Sequence, residues 1–143
     1  MDLSILLDNV KLNIKVSVLL ETPNGYLFEK DKNGFYFPIG GRIKLNEDSV
    51  KAAKREVKEE IGIDLTNLLY KGIVENFFMY DNIQYHELII VYRASLKENI
   101  DLPDYFHFIK KNEFDKKDIK PSEIIKIINS RMNSTLHFIV RDD

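Results

Sequence analysis

The sequence predicts a layered α–β–α sandwich on a mixed β-sheet, an α/β protein of the α+β kind. Alternating apolar and polar residues mark several strands, some joined by tight turns and therefore antiparallel. A long 3.6-residue period marks one helix between groups of strands, and a second apolar helical face follows Pro121. Two such helices can cover the two faces of the sheet.

Leu3–Leu7 is apolar but too short to assign. Leu12, Ile14, Val16, Val18 and Leu20 alternate with Asn13, Lys15 and Ser17, as in a strand with one buried face. Thr22-Pro23-Asn24-Gly25 has turn chemistry, so Tyr26–Lys30 returns as the second arm of a hairpin. Asp31–Gly34 turns again, and Phe35-Tyr36-Phe37-Pro38 runs extended into Gly40-Gly41.

Asn46 is the expected N-cap of the long helix, with Glu47 and Asp48 in its first turn, where acids suit the positive end of the dipole. Val50, Ala53, Val57 and Ile61 form its apolar stripe, and Gly62 ends it. Ile73–Tyr80 is the next strand, and Asp81-Asn82 suits a tight hairpin turn. Ile83–Leu96 is the longest strand, apolar on both faces from Leu88 to Tyr92, as a central strand is. Lys97–Pro103 is a polar loop, Tyr105–Lys110 a further strand and Glu113–Pro121 a charged loop. Pro121 suits the first turn of a helix in which Ile124, Ile125, Ile127 and Ile128 make a broad apolar face. Leu136–Val140 is the candidate closing strand.

With 143 residues, 44% hydrophobic and 31% charged, the chain suits one globular domain over residues 1–143. Its net charge of −2 offers no basic footprint for a nucleic-acid polymer. The lack of cysteine excludes a disulfide framework and a thiolate metal site. Met1-Asp2-Leu3 opens no basic-then-apolar leader and no apolar run approaches a membrane span. A cytoplasmic protein without a membrane partner is the expectation, and homodimerisation is left open.

The chemistry concentrates in Gly41–Ile63, GRIKLNEDSVKAAKREVKEEIGI. Glu56, Glu59 and Glu60 fall within an arc of about 100° beside the apolar stripe. Like charges at these spacings repel by about 0.2–0.5 kcal/mol per pair. A hard divalent cation reverses the sign, because Mg²⁺ prefers carboxylate oxygens. Taken alone, KREVKEE reads as a solvated helix face on which Arg55 pairs with Glu59. The longer pattern runs Gly41, five residues, Glu47, seven residues, then Arg55-Glu56-Val57-Lys58-Glu59-Glu60-Ile61-Gly62-Ile63. Chance would place it in a chain of this size roughly once in ten million. On those residues the chain resembles a Nudix hydrolase.

The resemblance implies the Nudix-type sandwich over nearly the whole chain. It also implies a Mg²⁺-dependent pyrophosphohydrolase, with Mn²⁺ able to substitute, acting on a nucleoside diphosphate linked to another moiety. The products would be a nucleoside monophosphate and a phosphorylated leaving group. Glu56, Glu59 and Glu60 are then the metal ligands, joined by the carbonyl of Gly40. The commoner family spelling puts proline directly before the two glycines, whereas here Ile39 intervenes, so the transfer to Gly40 departs from the pattern. Arg55 would orient the glutamates and Glu47 would complete that network.

The carboxylate that activates water is Glu59 or Glu87, with Glu59 preferred. On the residues alone, Glu87 is either a fourth acid facing the metal site from the sheet or an edge-of-core glutamate turned to solvent. Glu75 is a weaker candidate of the same kind. His86, on the opposite face from Glu87, reads as structural. Arg42 either touches phosphate or lies on the surface. Tyr36, Phe37, Phe77, Phe78, Tyr80 and Tyr85 are enough aromatics to stack a base, with at least half of them in the core. Nucleotide sugars, nucleoside triphosphates, dinucleoside polyphosphates and ADP-ribose all fit. The competing reading is a non-catalytic nucleotide-binding or regulatory module on the same fold. Such descendants usually lose box glutamates, and this chain keeps them all. A box-bearing isomerase typically needs a cysteine, which this chain lacks.

Overall fold

The computed structural model describes residues 1–130 and 135–142. Its elements are β1 (Ser4–Leu7), β2 (Val10–Thr22), β3 (Gly25–Lys30), β4 (Tyr36–Arg42), α1 (Ser49–Ile61), β5 (Leu69–Tyr80), β6 (Ile83–Ser95), β7 (Phe106–Ile109), a 3₁₀ turn (Lys111–Lys116), α2 (Ile124–Ile128) and β8 (Leu136–Asp142). The eight strands form one sheet in the order β7-β3-β4-β2-β6-β5-β8, with β1 also paired to β2. The β2–β6 and β5–β8 pairs are parallel and the others antiparallel, so the sheet is mixed as expected. Among the described residues no helix is long and apolar enough to cross a membrane.

Alternation along the strands sorts the core into two layers. Val16, Val18 and Leu20 of β2 pack with Ala52, Ala53 and Val57 of α1. Leu19 of β2, Ile89 and Val91 of β6 and Val74 of β5 pack with Ile124, Ile127 and Ile128 of α2. The central β6 therefore contributes to both layers, which explains its run of apolar residues. Asp81 and Asn82, at φ 49° and 62°, close the β5–β6 hairpin in the left-handed conformation that such turns require.

Several elements depart from the sequence expectation. The N-cap of α1 is Asp48, whose carboxylate accepts the Lys51 N–H at 2.8 Å. Asn46 instead lies in the turn before it at φ 65°, a conformation its short polar side chain tolerates. Glu47 accepts the Lys44 N–H and two donors of Arg55, so it closes that turn and does not enter the helix. Val50 is 39% exposed, and Ala52 takes its place in the buried stripe. The charged segment after β7 is not all loop, because Phe114 is buried and anchors the 3₁₀ turn. The second helix is only Ile124–Ile128, and Pro121 precedes it. The unassigned Leu3–Leu7 contributes β1, with Ile5, Leu6 and Leu7 exposed.

Candidate active site

Arg55 is the hub of the glutamate-bearing face of α1. Its Nε and Nη2 donate to the two carboxylate oxygens of Glu47 at 2.7 and 2.8 Å. Nη2 also donates to the Arg42 carbonyl at 3.0 Å, tying the helix to the end of β4. Nη1 donates to Glu56 Oε1 at 2.9 Å and Glu59 Oε2 at 3.3 Å. These bonds to Arg55 hold the Glu47 carboxyl down at about 2, despite the opposing effect of burial. Hydrogen bonding to Glu47 in turn raises Arg55 above its ordinary range.

The next layer is made of acids without enough cations. Burial raises Glu56 against the pull of Arg55. Burial, then Glu29, Glu56 and Glu59, push Glu60 up to about 8. Glu60 Oε2 is buried and has no hydrogen-bond partner among the described residues. Glu29 faces these acids from β3, on the same side of that strand as Leu27, which packs in the α1 layer. It too is raised, by burial and then by Glu56. Glu29 lies outside the helix pattern and was not a sequence candidate. Its alternation with apolar Leu27 was the available signal, but the side of the sheet that α1 would cover was not readable.

Gly41 lets the carboxylates sit where they do. A Cβ there would collide with the Glu56 carboxylate, whose Oε2 would be 2.8 Å away. The neighbouring Gly40 packs so closely over the Val16 carbonyl that it too leaves no space for a side chain. The Ile43 N–H bonds the Ile14 carbonyl, and Arg42 offers its own carbonyl to Arg55. Alternation along β4 then turns the Gly40 carbonyl, like that of Arg42, away from β2.

As a donor set these residues fit a hard divalent cation. They provide clustered carboxylate oxygens, one of them buried and unpartnered, with raised proton affinities that a cation would reverse. Among the described residues no three acidic or histidine side chains are already gathered as a metal cluster. Arg55 draws one oxygen each from Glu56 and Glu59, and mutual repulsion opposes closer approach.

On the α2 side of the sheet lies a cleft of about 700 Å³. Gly40, Arg42, Lys15, Phe37 and Phe78 are among its lining residues. A single residue of β4 thus separates Gly40, at the cleft wall, from Gly41, against Glu56.

The NUDIX domain family matches residues 11–128. The chain belongs to the Nudix family. It is therefore a hydrolase of phosphorus-containing anhydrides. Among solved structures, its fold is similar to that of the MutT protein from Bacillus halodurans, at 19% identity and a TM-score of 0.68, over 89% of this chain and 90% of that one. The E. coli dihydroneopterin triphosphate pyrophosphohydrolase is similar at 16% identity and a TM-score of 0.69, over 83% and 94%. The C. elegans Ap4A hydrolase is similar at 14% identity and a TM-score of 0.59, over 82% and 93%. No match to a curated protein is found.

The Nudix sheet corrects the expectation for Glu87. It does not face the α1 glutamates. It shares the α2 side with Ile89 and Val91 and lines the cleft. By strand spacing and rise its Cα lies about 16 Å from that of Gly40. Nor is it solvent-exposed, at 5%. Glu75 points to the other face and binds His137 at 2.7 Å, away from the Nudix helix. His86 packs on Phe77 at a ring distance of 4.3 Å, as a structural histidine does. Arg42 lines the cleft, with Nη1 3.6 Å from Asp2 Oδ2. Of the six aromatics, Tyr36 is core, Phe77 packs under Arg141, and Phe37, Phe78, Tyr80 and Tyr85 line the cleft.

Proposed function

We propose that this Nudix protein is a Mg²⁺-dependent pyrophosphohydrolase, with Mn²⁺ able to substitute, acting on a nucleoside diphosphate linked to another moiety. The observation that carries this is the Arg55-centred carboxylate array against Gly41, with its unpartnered Glu60 oxygen. The names of two structural neighbours, a dihydroneopterin triphosphate pyrophosphohydrolase and an Ap4A hydrolase, point to the same class of phosphoanhydride.

Glu56, Glu59, Glu60 and the Gly40 carbonyl would hold the metal, and Glu29 is placed to join them. Bound Mg²⁺ supplies charge neutralisation of the phosphate oxygens and a lowered pKa for bound water. Arg55 and Glu47 keep the glutamates from collapsing or turning to solvent, so little reorganisation remains for the reaction. Arg42 and Lys15, at the cleft wall next to Gly40, would bind the substrate phosphates. Water attacks one phosphorus of the anhydride, its proton passes to a carboxylate oxygen, and the bridging oxygen leaves with the bonding pair on the second phosphate. Glu59 is the favoured acceptor: its side chain is 54% exposed, the most accessible of the helix acids bound to Arg55.

A panel of nucleotide sugars, nucleoside triphosphates, dinucleoside polyphosphates and ADP-ribose, with and without EDTA, tests this. Mg²⁺-dependent release of a nucleoside monophosphate is expected. No turnover of any member overturns the reading.

A further inference from the structure

Glu87 is a nearly buried acid outside the catalytic array. It and its neighbour Asn13 are 5% and 3% exposed. Ser4 Oγ donates to Asn13 Oδ1 at 2.6 Å, which orients the carboxamide so that Nδ2 donates to Glu87 Oε2 at 2.9 Å. Lys15 Nζ lies 3.6 Å from the same oxygen. Oε1 has no hydrogen-bond partner among the described residues, although Glu87 lines the cleft. That oxygen is not among the buried unpartnered atoms, so it opens onto the cleft, where an incoming N–H donor can reach it.

Its place in the sheet says what that donor would belong to. Three rows of residues cross this face in register. Arg42, Lys15, Ile89 and Val74 form the first, Asn13, Glu87 and Asn76 the second, and Lys11, Tyr85 and Phe78 the third. The first row carries cations next to Gly40. The third carries two rings stacked at 4.8 Å and 5°. Glu87 lies between charge suited to phosphates and aromatic surface suited to a base.

We propose that Glu87 reads the edge of the nucleobase and selects one with two neighbouring N–H donors, the pattern of guanine N1–H and N2–H₂. The proposal rests on the substrate being a nucleotide. A carboxylate has acceptors only, and Glu87 can meet that edge with Oε1 and with the lone pair of Oε2 that Asn13 leaves free. Adenine and cytosine place a bare ring nitrogen beside their amino group, and uracil flanks its single N–H with carbonyls. Each would set a lone pair against the carboxylate. Ser4 and Asn13 act as positioning residues, and Lys15 lies 3.6 Å from the Glu87 oxygen that Asn13 holds.

Calorimetric titration of the whole protein in EDTA with GMP, IMP, AMP and UMP tests the selection without any turnover. GMP should bind at least about tenfold more tightly than AMP or UMP, with IMP, which lacks the amino donor, between them. Glu87→Gln replaces one acceptor by a donor and should reduce the GMP preference to within about threefold, with an unchanged melting temperature. The IMP comparison needs only wild-type protein, so it holds even if the variant folds poorly. Equal affinity for GMP and IMP, no detectable binding of any of the four, or a folded Glu87→Gln protein that keeps the preference would overturn the proposal. A GMP preference without hydrolysis of any substrate would instead count against the hydrolase and leave the role of Glu87 standing.

Discussion

Arg55 grips Glu47 with a two-pronged fork, Nε to one carboxylate oxygen at 2.7 Å and Nη2 to the other at 2.8 Å. That pair joins the turn before α1 to the middle of the helix, and the remaining donors reach Arg42, Glu56 and Glu59. Because Arg55 is only 20% exposed, its bonds are partly shielded from water. Lysine keeps the charge but offers no planar fork. Arg55→Lys should destabilise the fold by about 1–3 kcal/mol and lower hydrolysis well beyond that loss. Urea midpoints beside steady-state rates decide it; wild-type values for both would remove Arg55 from the centre of the site.

Glu56→Gln, Glu59→Gln and Glu60→Gln each keep side-chain size and remove one charge from the array. Hydrolysis should fall by orders of magnitude, with part of the loss recovered at high Mg²⁺ where metal affinity is the defect. Without metal and above pH 8, where Glu60 is ionised, Glu60→Gln should stabilise the protein by about 0.2–0.5 kcal/mol per relieved pair, since Glu60 has no compensating cation. Glu56→Gln should gain less, because it also weakens the bond from Arg55. Full activity in all three variants would refute the metal-site reading.

Gly41→Ala tests the packing of β4 against the helix. The added methyl must displace the Glu56 carboxylate, which Arg55 holds in place. A shift of about 1 Å at the reacting centre costs on the order of 100-fold, so a loss of roughly that size in kcat is expected from a folded protein. A fully active Gly41→Ala enzyme would show that the position of Glu56 is not critical.

The pH dependence of stability follows from Glu60. Its carboxyl is raised from 4.5 to about 8, so between those values the folded state holds a proton that the unfolded chain has released. The stability this contributes is present below pH 4.5 and is lost as pH rises through about 8. Glu47, held down at about 2, acts oppositely: its contribution is present above 4.5 and is lost as pH falls toward 2. In EDTA, the melting temperature should therefore decline from pH 5 to 8, and Glu60→Gln should flatten that decline.

Glu29→Gln should make the same decline shallower, because Glu29 is the largest charge contribution to the raised Glu60. If it also raises the Mg²⁺ concentration needed for half-maximal rate, the strand acid takes part in holding the cation. An unchanged pH profile would place Glu29 outside the array.

What the sequence by itself determined was mostly local. Residues 41–63 carry spacings set by the helical repeat, so the pattern of Glu56, Glu59 and Glu60 could be read before any fold was known. The β5–β6 hairpin was legible for the same reason, since Asp81-Asn82 bears its own turn chemistry. The start of α1 was not, because Glu47 answers to Arg55 eight residues on, and that pull overrides the local preference for Asn46 as cap. Only the tertiary structure decided which acids share a face. Alternation puts Glu29 and Glu87 on definite sides of their strands but cannot say which helix will cover each side. Packing of α1 on Val16, Val18 and Leu27 brought Glu29 to the helix acids, and packing of α2 on the opposite side left Glu87 in the cleft with Asn13. Those assignments depend on long-range burial of apolar surface, a property of the assembled sheet that no short window of residues contains.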